Sequence, residues 1–170
     1  DGYGDNPNGT DADAFPSDNS QWADSDGDGY GDNDFGNNAD TCIYSAGNST
    51  IDRYGCADSD GDGVSNPDGD WTVFDGADAF ISDITQWEDS DGDGYGDNYE
   101  GTTPDSCVYD AGTSTFTAQY DNSNGQWSNE TEYGCPDEDG DGYEDYSDPC
   151  PFSYGNSWVD QLGCADADQD

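Results

Sequence analysis

The sequence lacks histidine and lysine, and Arg53 is its only basic residue. Its formal net charge of −41 therefore has almost no counter-charge, and it repels nucleic acid and anionic membrane surfaces as partners. The same absence removes the side chains that most often act as general bases or activate nucleophiles. Paired carboxylates can hydrolyse glycosides, but every close Asp pair falls within a candidate metal loop. We therefore expect no catalytic residues and no enzymatic activity.

Long apolar segments are also absent, since only 29% of the residues are hydrophobic. The sequence contains no signal peptide and no apolar run long enough to span a bilayer. Low hydrophobicity with high net charge is typical of disordered chains, yet an aromatic content of 14% is high for such a chain. Both properties are explained if divalent cations neutralise the carboxylates and small aromatic clusters replace a large core.

The most prominent feature of the sequence is a repeated acidic motif. The ten residues Asp24–Asn33 recur unchanged as Asp89–Asn98, and looser copies begin at Asp58, Asp137 and Asp166. Aspartate at positions 1, 3 and 5 with glycine at position 6 is typical of the first half of a calcium-binding loop, where the glycine permits a sharp turn. A flexible solvated loop is the alternative, but four complete copies in register favour Ca2+ binding.

Each complete copy also offers a backbone carbonyl at position 7 and an oxygen-bearing side chain at position 9. The candidate Ca2+ ligands of the four copies are Asp24, Asp26, Asp28, Tyr30 and Asp32; Asp58, Asp60, Asp62, Val64 and Asn66; Asp89, Asp91, Asp93, Tyr95 and Asp97; and Asp137, Asp139, Asp141, Tyr143 and Asp145. Incomplete copies at the two ends add Asp1, Asp5, Asp166, Asp168 and Asp170. Several Ca2+ ions per chain are the only cofactor that we predict.

A longer repeat contains these motifs. Asp13–Asn33 and Asp78–Asn98 match at 17 of 21 positions with an offset of 65. The predicted organisation is the end of a preceding calcium repeat (1–12), repeat unit 1 (13–57), a short calcium repeat (58–77), repeat unit 2 (78–136), an abbreviated unit 3 (137–165) and the start of a further repeat (166–170). Because both ends fall inside the motif, we expect a window of a longer tandem array or one period of a head-to-tail polymer.

The six cysteines, in a chain without histidine, favour disulfides over a zinc site. In each unit an Asp-x-Cys opens a segment rich in small polar residues and a Gly-Cys closes it, although six cysteines allow 15 connectivities. The predicted pairs are Cys42–Cys56, Cys107–Cys135 and Cys150–Cys164. Disulfides indicate an oxidising, extracellular or cell-surface location. Sequons at Asn8, Asn48 and Asn129 are candidates for N-glycosylation.

Regular secondary structure should be scarce, since glycine or proline interrupts nearly every window and no helical apolar period is sustained. Clusters of β-branched and aromatic residues predict short strands at Trp71–Phe74 and Thr113–Tyr120. A single helical turn is predicted near Phe80–Trp87. The expected fold is mostly irregular coil with a few short strands, organised as a calcium-threaded, disulfide-stapled tandem repeat.

One copy of the motif formally completes a twelve-residue EF-hand loop, with Glu100 as its bidentate ligand at position 12. The other copies have Phe35, Gly69 and Asp148 at this position, and no amphipathic helix flanks any copy. An EF-hand or a dockerin-type helix pair is therefore disfavoured. The nonapeptide of calcium β-rolls is absent.

The series D-x-D-x-D-G-x-x-D, followed by Asp-x-Cys and another acidic loop, resembles the thrombospondin type 3 repeat. Asp137–Pro151 matches that pattern best, with Asp148 at position 12, and the longer units look like the variant in tandem arrays of secreted microbial proteins. The long spacers and the cysteine positions depart from the family pattern. The resemblance implies a chain wound around several Ca2+ ions, with structural or adhesive roles. It also implies bridging ligands at Asp13, Asp40, Asp78 and Asp105.

The leading hypothesis is an extracellular structural protein whose Asp-rich loops bind Ca2+ and rigidify a stalk, fibre or filament. Its partners would be other copies of itself or adjacent repeats of a longer chain. The alternative is a calcium-dependent adhesion or glycan-binding module of a larger secreted protein, with Thr113–Glu132 as the contact segment. A disordered acidic calcium buffer is disfavoured by the disulfide loops and the strict repeat register. We expect Trp22, Trp87, Trp127 and Trp158 to pack within their own repeats.

Overall fold

The structure is a computed structural model that describes residues 2–121, 123, 126–157 and 161–166. Its regular elements are a 3-10 helix, Val73–Asp75, and two strands, β1 (Phe116–Asp121) and β2 (Gln126–Thr131). Turns, bends and coil account for the rest of the described chain, apart from isolated bridges. The prediction of a mostly irregular chain with few short strands is therefore confirmed. No helix among the described residues has the length and apolar character needed to cross a membrane.

Strands β1 and β2 form an antiparallel pair in which Phe116 lies opposite Thr131 and Tyr120 opposite Trp127. The predicted strand Thr113–Tyr120 is thus confirmed from Phe116 onward. It begins later than expected because the backbone N–H groups of Thr115 and Phe116 both donate to the carbonyl of Gly142. The start of the segment is therefore attached to an acidic loop before the hairpin begins.

The predicted strand at Trp71–Phe74 is wrong, because this segment leads into the 3-10 helix. The Thr72 N–H and hydroxyl both donate to Asp75 Oδ2, at 3.0 and 2.7 Å. Gly76 then ends the turn with φ of 107°, which glycine adopts at little cost. Local capping thus prevails over the strand preference of the sequence, and no strand in the described part of the chain pairs with the segment.

The predicted helical turn near Phe80–Trp87 is also wrong, since this segment forms two successive tight turns. The Asp83 N–H donates to the Phe80 carbonyl at 2.8 Å, and the Gln86 N–H donates to the Asp83 carbonyl at 2.9 Å. Asp83 Oδ1 accepts hydrogen bonds from the Thr85 N–H and hydroxyl. These side-chain bonds compete with the helical pattern and favour turns.

The interior contains few apolar side chains. Ala118, Tyr143 and Leu162 form a small buried cluster. Polar side chains account for most of the other buried positions, and several are aspartates. The chain divides into two compact units, Asp1–Trp87 and Glu88–Asp170, and the boundary between them falls within predicted repeat unit 2.

Three disulfides hold the chain, and no cysteine is free. They join Cys42 to Cys56, Cys107 to Cys135 and Cys150 to Cys164, which are the pairs expected from the sequence. The paired cysteines are separated by 14 positions in the sequence in the first and third pairs and by 28 in the second. The second cysteine of each pair is buried.

Several aromatic rings pack in local pairs. Tyr3 stacks on Trp22 at 5.6 Å. Trp22 was expected to pack within repeat unit 1, but Tyr3 belongs to the preceding predicted repeat, residues 1–12. Two tyrosines at loop position 7 meet the tyrosine that precedes the closing Gly-Cys, at 5.7 Å for Tyr30–Tyr54 and 5.3 Å for Tyr95–Tyr133. Trp87 is 41% exposed. The side chains of Trp127 and Asn129 and all of Trp158 lie outside the described residues.

Candidate metal centres

Each acidic loop folds around the carboxylate at its first position. In the first loop, Asp24 accepts the N–H groups of Gly27 and Gly29 at 2.6 and 3.1 Å. Both glycines have positive φ, 85° and 96°, so a side chain at either position would be strained. The loops that begin at Asp58, Asp89 and Asp137 make the same two bonds. The alternation of Asp and Gly therefore specifies one tight backbone conformation.

This conformation gathers the carboxylates of positions 1, 3 and 5. In each loop one oxygen from each of the three side chains lies within 4.8 Å of the other two. The triplets are Asp24, Asp26 and Asp28; Asp58, Asp60 and Asp62; Asp89, Asp91 and Asp93; and Asp137, Asp139 and Asp141. The Oδ2 atom of position 3 is buried without a hydrogen-bond partner in every loop. Such an arrangement of like charges is costly unless a cation joins it.

A fourth carboxylate, distant in sequence, lies beside each triplet. Asp40, Asp78, Asp105 and Asp148 are only 2%, 0%, 4% and 6% exposed. In each of them Oδ1 accepts, at 2.7 Å, the backbone N–H of the residue two positions later. The Oδ2 atoms of Asp40, Asp78 and Asp105 are buried without a partner. We refer to these four residues as the returning aspartates.

The pKa of each returning aspartate is affected by the charges of its own acidic loop. The pKa of Asp40 is raised to about 6, mainly by burial; the hydrogen bond from the Cys42 N–H lowers it, and the charges of Asp28 and Asp26 add to the rise. Burial likewise raises the pKa values of the other three to about 6, with the carboxylates of their own loops as added causes. Each returning aspartate is thus near enough to its triplet for their charges to interact, although it is not one of the three residues whose oxygens lie within 4.8 Å of one another.

The returning aspartates lie at no constant distance along the sequence. Counting the first Asp of each loop as position 1, Asp40 and Asp105 are position 17, Asp78 is position 21 and Asp148 is position 12. The resemblance to the thrombospondin type 3 repeat implied Asp40, Asp78 and Asp105 as further ligands, and this role stays a prediction. Each is buried, whereas the residues at position 12 of their loops are not.

Glu100, expected as the bidentate ligand at position 12, is exposed and accepts a hydrogen bond from the Tyr99 hydroxyl at 3.0 Å. Asp105 is the fourth carboxylate beside its triplet instead. A turn follows the loop here, and no helix in the described part of the chain flanks it. The backbone carbonyls at position 7 stay predicted Ca2+ ligands; they belong to Tyr30, Val64, Tyr95 and Tyr143.

Position 9 closes the loop by hydrogen bonding. Asp32 accepts from the Ser25 N–H and hydroxyl at 3.0 and 2.6 Å, and Asp97 does the same with Ser90. Asn66 and Asp145 accept the corresponding N–H group in the other two loops. These side chains therefore hold the ends of the loop together, and they are not among the clustered triplets.

The incomplete copies at the ends are only partly described. Asp13 is buried, its Oδ1 accepts the Phe15 N–H at 2.7 Å, and its N–H donates to the Gly4 carbonyl, as in a returning aspartate. Asp5 is exposed. The Asp166 N–H donates to Asn156 Oδ1. Asp1, Asp168 and Asp170 lie outside the described residues.

Gln21 holds the segment that carries the chain from the first loop to Asp40. It is buried; its Nε2 donates to the carbonyls of Asn33 and Asn37, both at 3.1 Å, and its Oε1 accepts the Asn33 N–H at 3.0 Å. Gln86, its counterpart before the Asp89 loop, is equally buried. The repeated Gln-Trp dipeptide was the available signal, but its structural role did not follow from the pattern.

The Asp58 loop is positioned differently, by the single arginine. Arg53 donates to Ser65 Oγ at 2.9 Å and to Asp68 Oδ2 at 2.7 Å, and this second bond is the main reason that the pKa of Asp68 falls to about 2. The Trp71 ring lies 5.4 Å from the guanidinium carbon, and its indole N–H donates to Asp52 at 3.1 Å. Composition alone showed Arg53 only as an isolated charge.

The donor set suits a hard cation. Each centre offers only oxygen atoms, which Ca2+ and Mg2+ prefer, and no nitrogen or thiolate that would select zinc or copper. A further group of Glu132, Cys135 and Glu144 differs, because its sulfur belongs to a disulfide and Thr117 already donates to Glu144. The four acidic centres are therefore the metal sites that this structure supports.

In comparisons with known proteins, no family model matches the chain, and no match is found among curated proteins.

Proposed function

We propose that this chain is a calcium-binding structural protein of the extracellular space, similar in architecture to the thrombospondin type 3 repeat. Each acidic triplet and its returning aspartate bind Ca2+, and the bound ions make an otherwise core-poor chain rigid. Successive sites, linked by disulfide loops, form a tandem repeat suited to a stalk, fibre or filament. Adjacent repeats or other copies of the chain are its natural partners. No catalytic role is part of this proposal.

The observation that carries the proposal is the row of buried, unpartnered carboxylate oxygens. Asp40, Asp78 and Asp105 each have a buried Oδ2 without a hydrogen bond, and the charges of the carboxylates in their own loops raise their pKa values. Ionised groups in such positions cost several kcal/mol each unless they are paired or bound to metal. A divalent cation supplies the missing partner at every centre, and the unfolded chain cannot assemble the same ligands.

Recurrent contacts support a repeated unit. The Asp40 N–H donates to Gly31 and the Asp105 N–H to Gly96, both at 2.8 Å, at residues separated by the sequence offset. Stability in tandem repeats is approximately a sum over neighbours. Three disulfides favour an oxidising compartment and so an extracellular location. The acceptor asparagines of two sequons, Asn8 and Asn48, are exposed.

Adhesion is the second candidate, and a specific set of exposed rings favours it. Tyr44, Tyr109 and Phe152 follow the first cysteine of their disulfide loops by two residues, and they are 84%, 83% and 82% exposed. Exposed aromatic rings on loops are suited to stacking against sugars or other apolar groups. We expect the protein to bind to a glycan array. The variant Tyr44→Ser/Tyr109→Ser/Phe152→Ser should lose this binding and keep its Ca2+ affinity.

Calcium binding is tested by equilibrium dialysis together with near-UV circular dichroism. We expect at least about one tightly bound Ca2+ ion per acidic loop. After chelation, the near-UV aromatic signal should be lost and the protein should become sensitive to protease. Asp91→Asn/Asp93→Asn should expose the second unit to protease while the Cys150–Cys164 segment stays resistant. The control Asp110→Asn/Glu130→Gln removes the same charge from exposed positions. A chelated protein with unchanged signal and resistance would refute the proposal.

A further inference from the structure

Every disulfide loop contacts the carboxylates of the acidic loop that precedes it. The first contact involves a glycine five residues after the first cysteine. The N–H groups of Gly47, Gly112 and Gly155 donate to Oδ2 of the position-5 aspartates Asp28, Asp93 and Asp141, at 3.0, 2.9 and 3.0 Å. Each of these glycines lies so close to the backbone of the second cysteine that a Cβ atom would overlap it.

The second contact involves the returning aspartate. The N–H of the first cysteine donates to it, at 2.7 Å for Cys42 and Asp40. On the other side, the glycine before the second cysteine has positive φ and no room for a Cβ atom. At Gly55 such an atom would overlap Asp40 Oδ1 and lie 2.9 Å from Asp28 Oδ2. Gly134 and Gly163 are placed in the same way against Asp105 and Asp148.

The Asp58 loop shows what is missing without a cystine. Its position-5 residue, Asp62, has a buried Oδ2 with no hydrogen-bond partner. Its returning aspartate, Asp78, accepts the N–H of Phe80 rather than that of a cysteine. The Cys42–Cys56 segment reaches this loop through backbone bonds from Thr50 and Ile51 to the Gly63 carbonyl. Asp52 and Arg53 also bond to Ser65 and Asn66, but none of these bonds goes to a carboxylate of the Asp58 triplet.

From these contacts we propose that cation binding and disulfide state are coupled at the Asp24, Asp89 and Asp137 loops and not at the Asp58 loop. The inference rests on the proposed binding of Ca2+. Both sides of each cystine hold the carboxylates in place, so opening the cystine releases two supports of the same centre. Ca2+ therefore protects the three cystines from reduction, and reduction weakens Ca2+ binding at the three adjacent loops.

The redox step is an ordinary thiol–disulfide exchange with a dithiol as reductant. A dithiol thiolate attacks one sulfur of the cystine and forms a mixed disulfide, and its second thiol then displaces the protein sulfur. The S–S bond of the protein is reduced to two thiols, and the dithiol is oxidised to a cyclic disulfide. Two electrons and two protons pass to the protein. Because coupling between two sites is reciprocal, the factor by which Ca2+ disfavours reduction of a cystine equals the factor by which reduction lowers the Ca2+ affinity of the adjacent loop.

The test follows the reduction of each cystine by dithiothreitol, with alkylation of the released thiols and mass spectrometry of peptides. Saturating Ca2+ should shift the dithiothreitol concentration for half-reduction by about 5- to 150-fold relative to chelator, the usual range of coupling between sites. Three variants each disable one adjacent loop: Asp26→Asn/Asp28→Asn, Asp91→Asn/Asp93→Asn and Asp139→Asn/Asp141→Asn. The matched control is Asp60→Asn/Asp62→Asn. All are first shown to contain no free thiol.

Protection should disappear only at the cystine that follows the disabled loop, and the control variant should keep all three protected. Loss of protection at all cystines in every variant would overturn the proposal, since it would show stabilisation of the whole chain rather than local coupling. Ca2+ that binds the oxidised protein in equilibrium dialysis without protecting any cystine would overturn the coupling alone. Absence of Ca2+ binding would instead overturn the proposed function.

Discussion

Replacement of Asp40 by asparagine is the most direct test of a returning aspartate. Asparagine keeps the Oδ1 acceptor for the Cys42 N–H, so the local turn should survive. It places an NH2 group where the unpartnered Oδ2 lies, and that group cannot bind a cation. The substitution therefore removes one ligand and one charge without changing the size of the side chain.

The expected loss is about 10- to 100-fold in Ca2+ affinity at the Asp24 loop, by analogy with the loss of residues that support metal ligands. At saturating Ca2+ this corresponds to roughly 1.4–2.7 kcal/mol less stabilisation. The raised pKa of Asp40, about 6, adds a pH dependence. Because protonation at pH 5 competes with the cation, wild-type affinity at this loop should fall about tenfold below its neutral value.

Isothermal titration calorimetry at pH 7 and pH 5 measures both effects. At pH 7 the variant should have one tight site fewer than the wild type, and the difference should narrow at pH 5. Asp34→Asn is the matched control, because Asp34 is exposed and the substitution removes the same charge. Equal losses in both variants would show an effect of net charge alone, and an unchanged titration would show that Asp40 is not a ligand.

Gln21→Ala should weaken Ca2+ binding at the Asp24 loop although the substitution removes no carboxylate, because the Asn33 backbone groups that lose their partner would cost about 1–3 kcal/mol. Calorimetry measures this loss against the control Gln119→Ala, which changes an exposed glutamine. Arg53→Gln should lower the free energy of unfolding by about 1–3 kcal/mol in Ca2+, measured by thermal unfolding, and addition of salt should reduce the difference. In chelator, the structure that remains should become more stable as the pH falls from 7 toward 4, because the pKa of Asp105 in the folded state is raised above its ordinary value. Stability that falls with falling pH, measured by circular dichroism, would contradict this expectation.

The local features of this fold were readable because short-range chemistry determines them. Asp and Gly alternation specifies the loop and its triplet, and the repeated position of the cysteines predicted all three pairs. The scarcity of regular structure followed from composition. Each of these depends on residues within a few positions of one another or on a pattern that recurs.

The longer-range parts were less accessible to sequence reasoning. Glu100 fitted the EF-hand spacing, but it is exposed and bonded to the Tyr99 hydroxyl, whereas Asp105, five residues later, is buried. Gln21 and Arg53 act on segments 12 or more residues away, and nothing in their neighbours in sequence reveals those partners. The strand predicted at Trp71–Phe74 failed because side-chain caps outweigh strand preference where no partner strand lies in the described part of the chain.

The hairpin of β1 and β2 lies wholly inside the Cys107–Cys135 loop, which is twice as long as the corresponding loop of Cys42–Cys56. The contacts at its base are nonetheless preserved, with Gly112 to Asp93 at 2.9 Å against Gly47 to Asp28 at 3.0 Å. A segment closed by a disulfide in this way is a suitable site for insertions, since foreign sequence can be added between ends whose contacts stay the same. Epitopes or small domains grafted in place of the hairpin tip should be displayed without redesign of the scaffold.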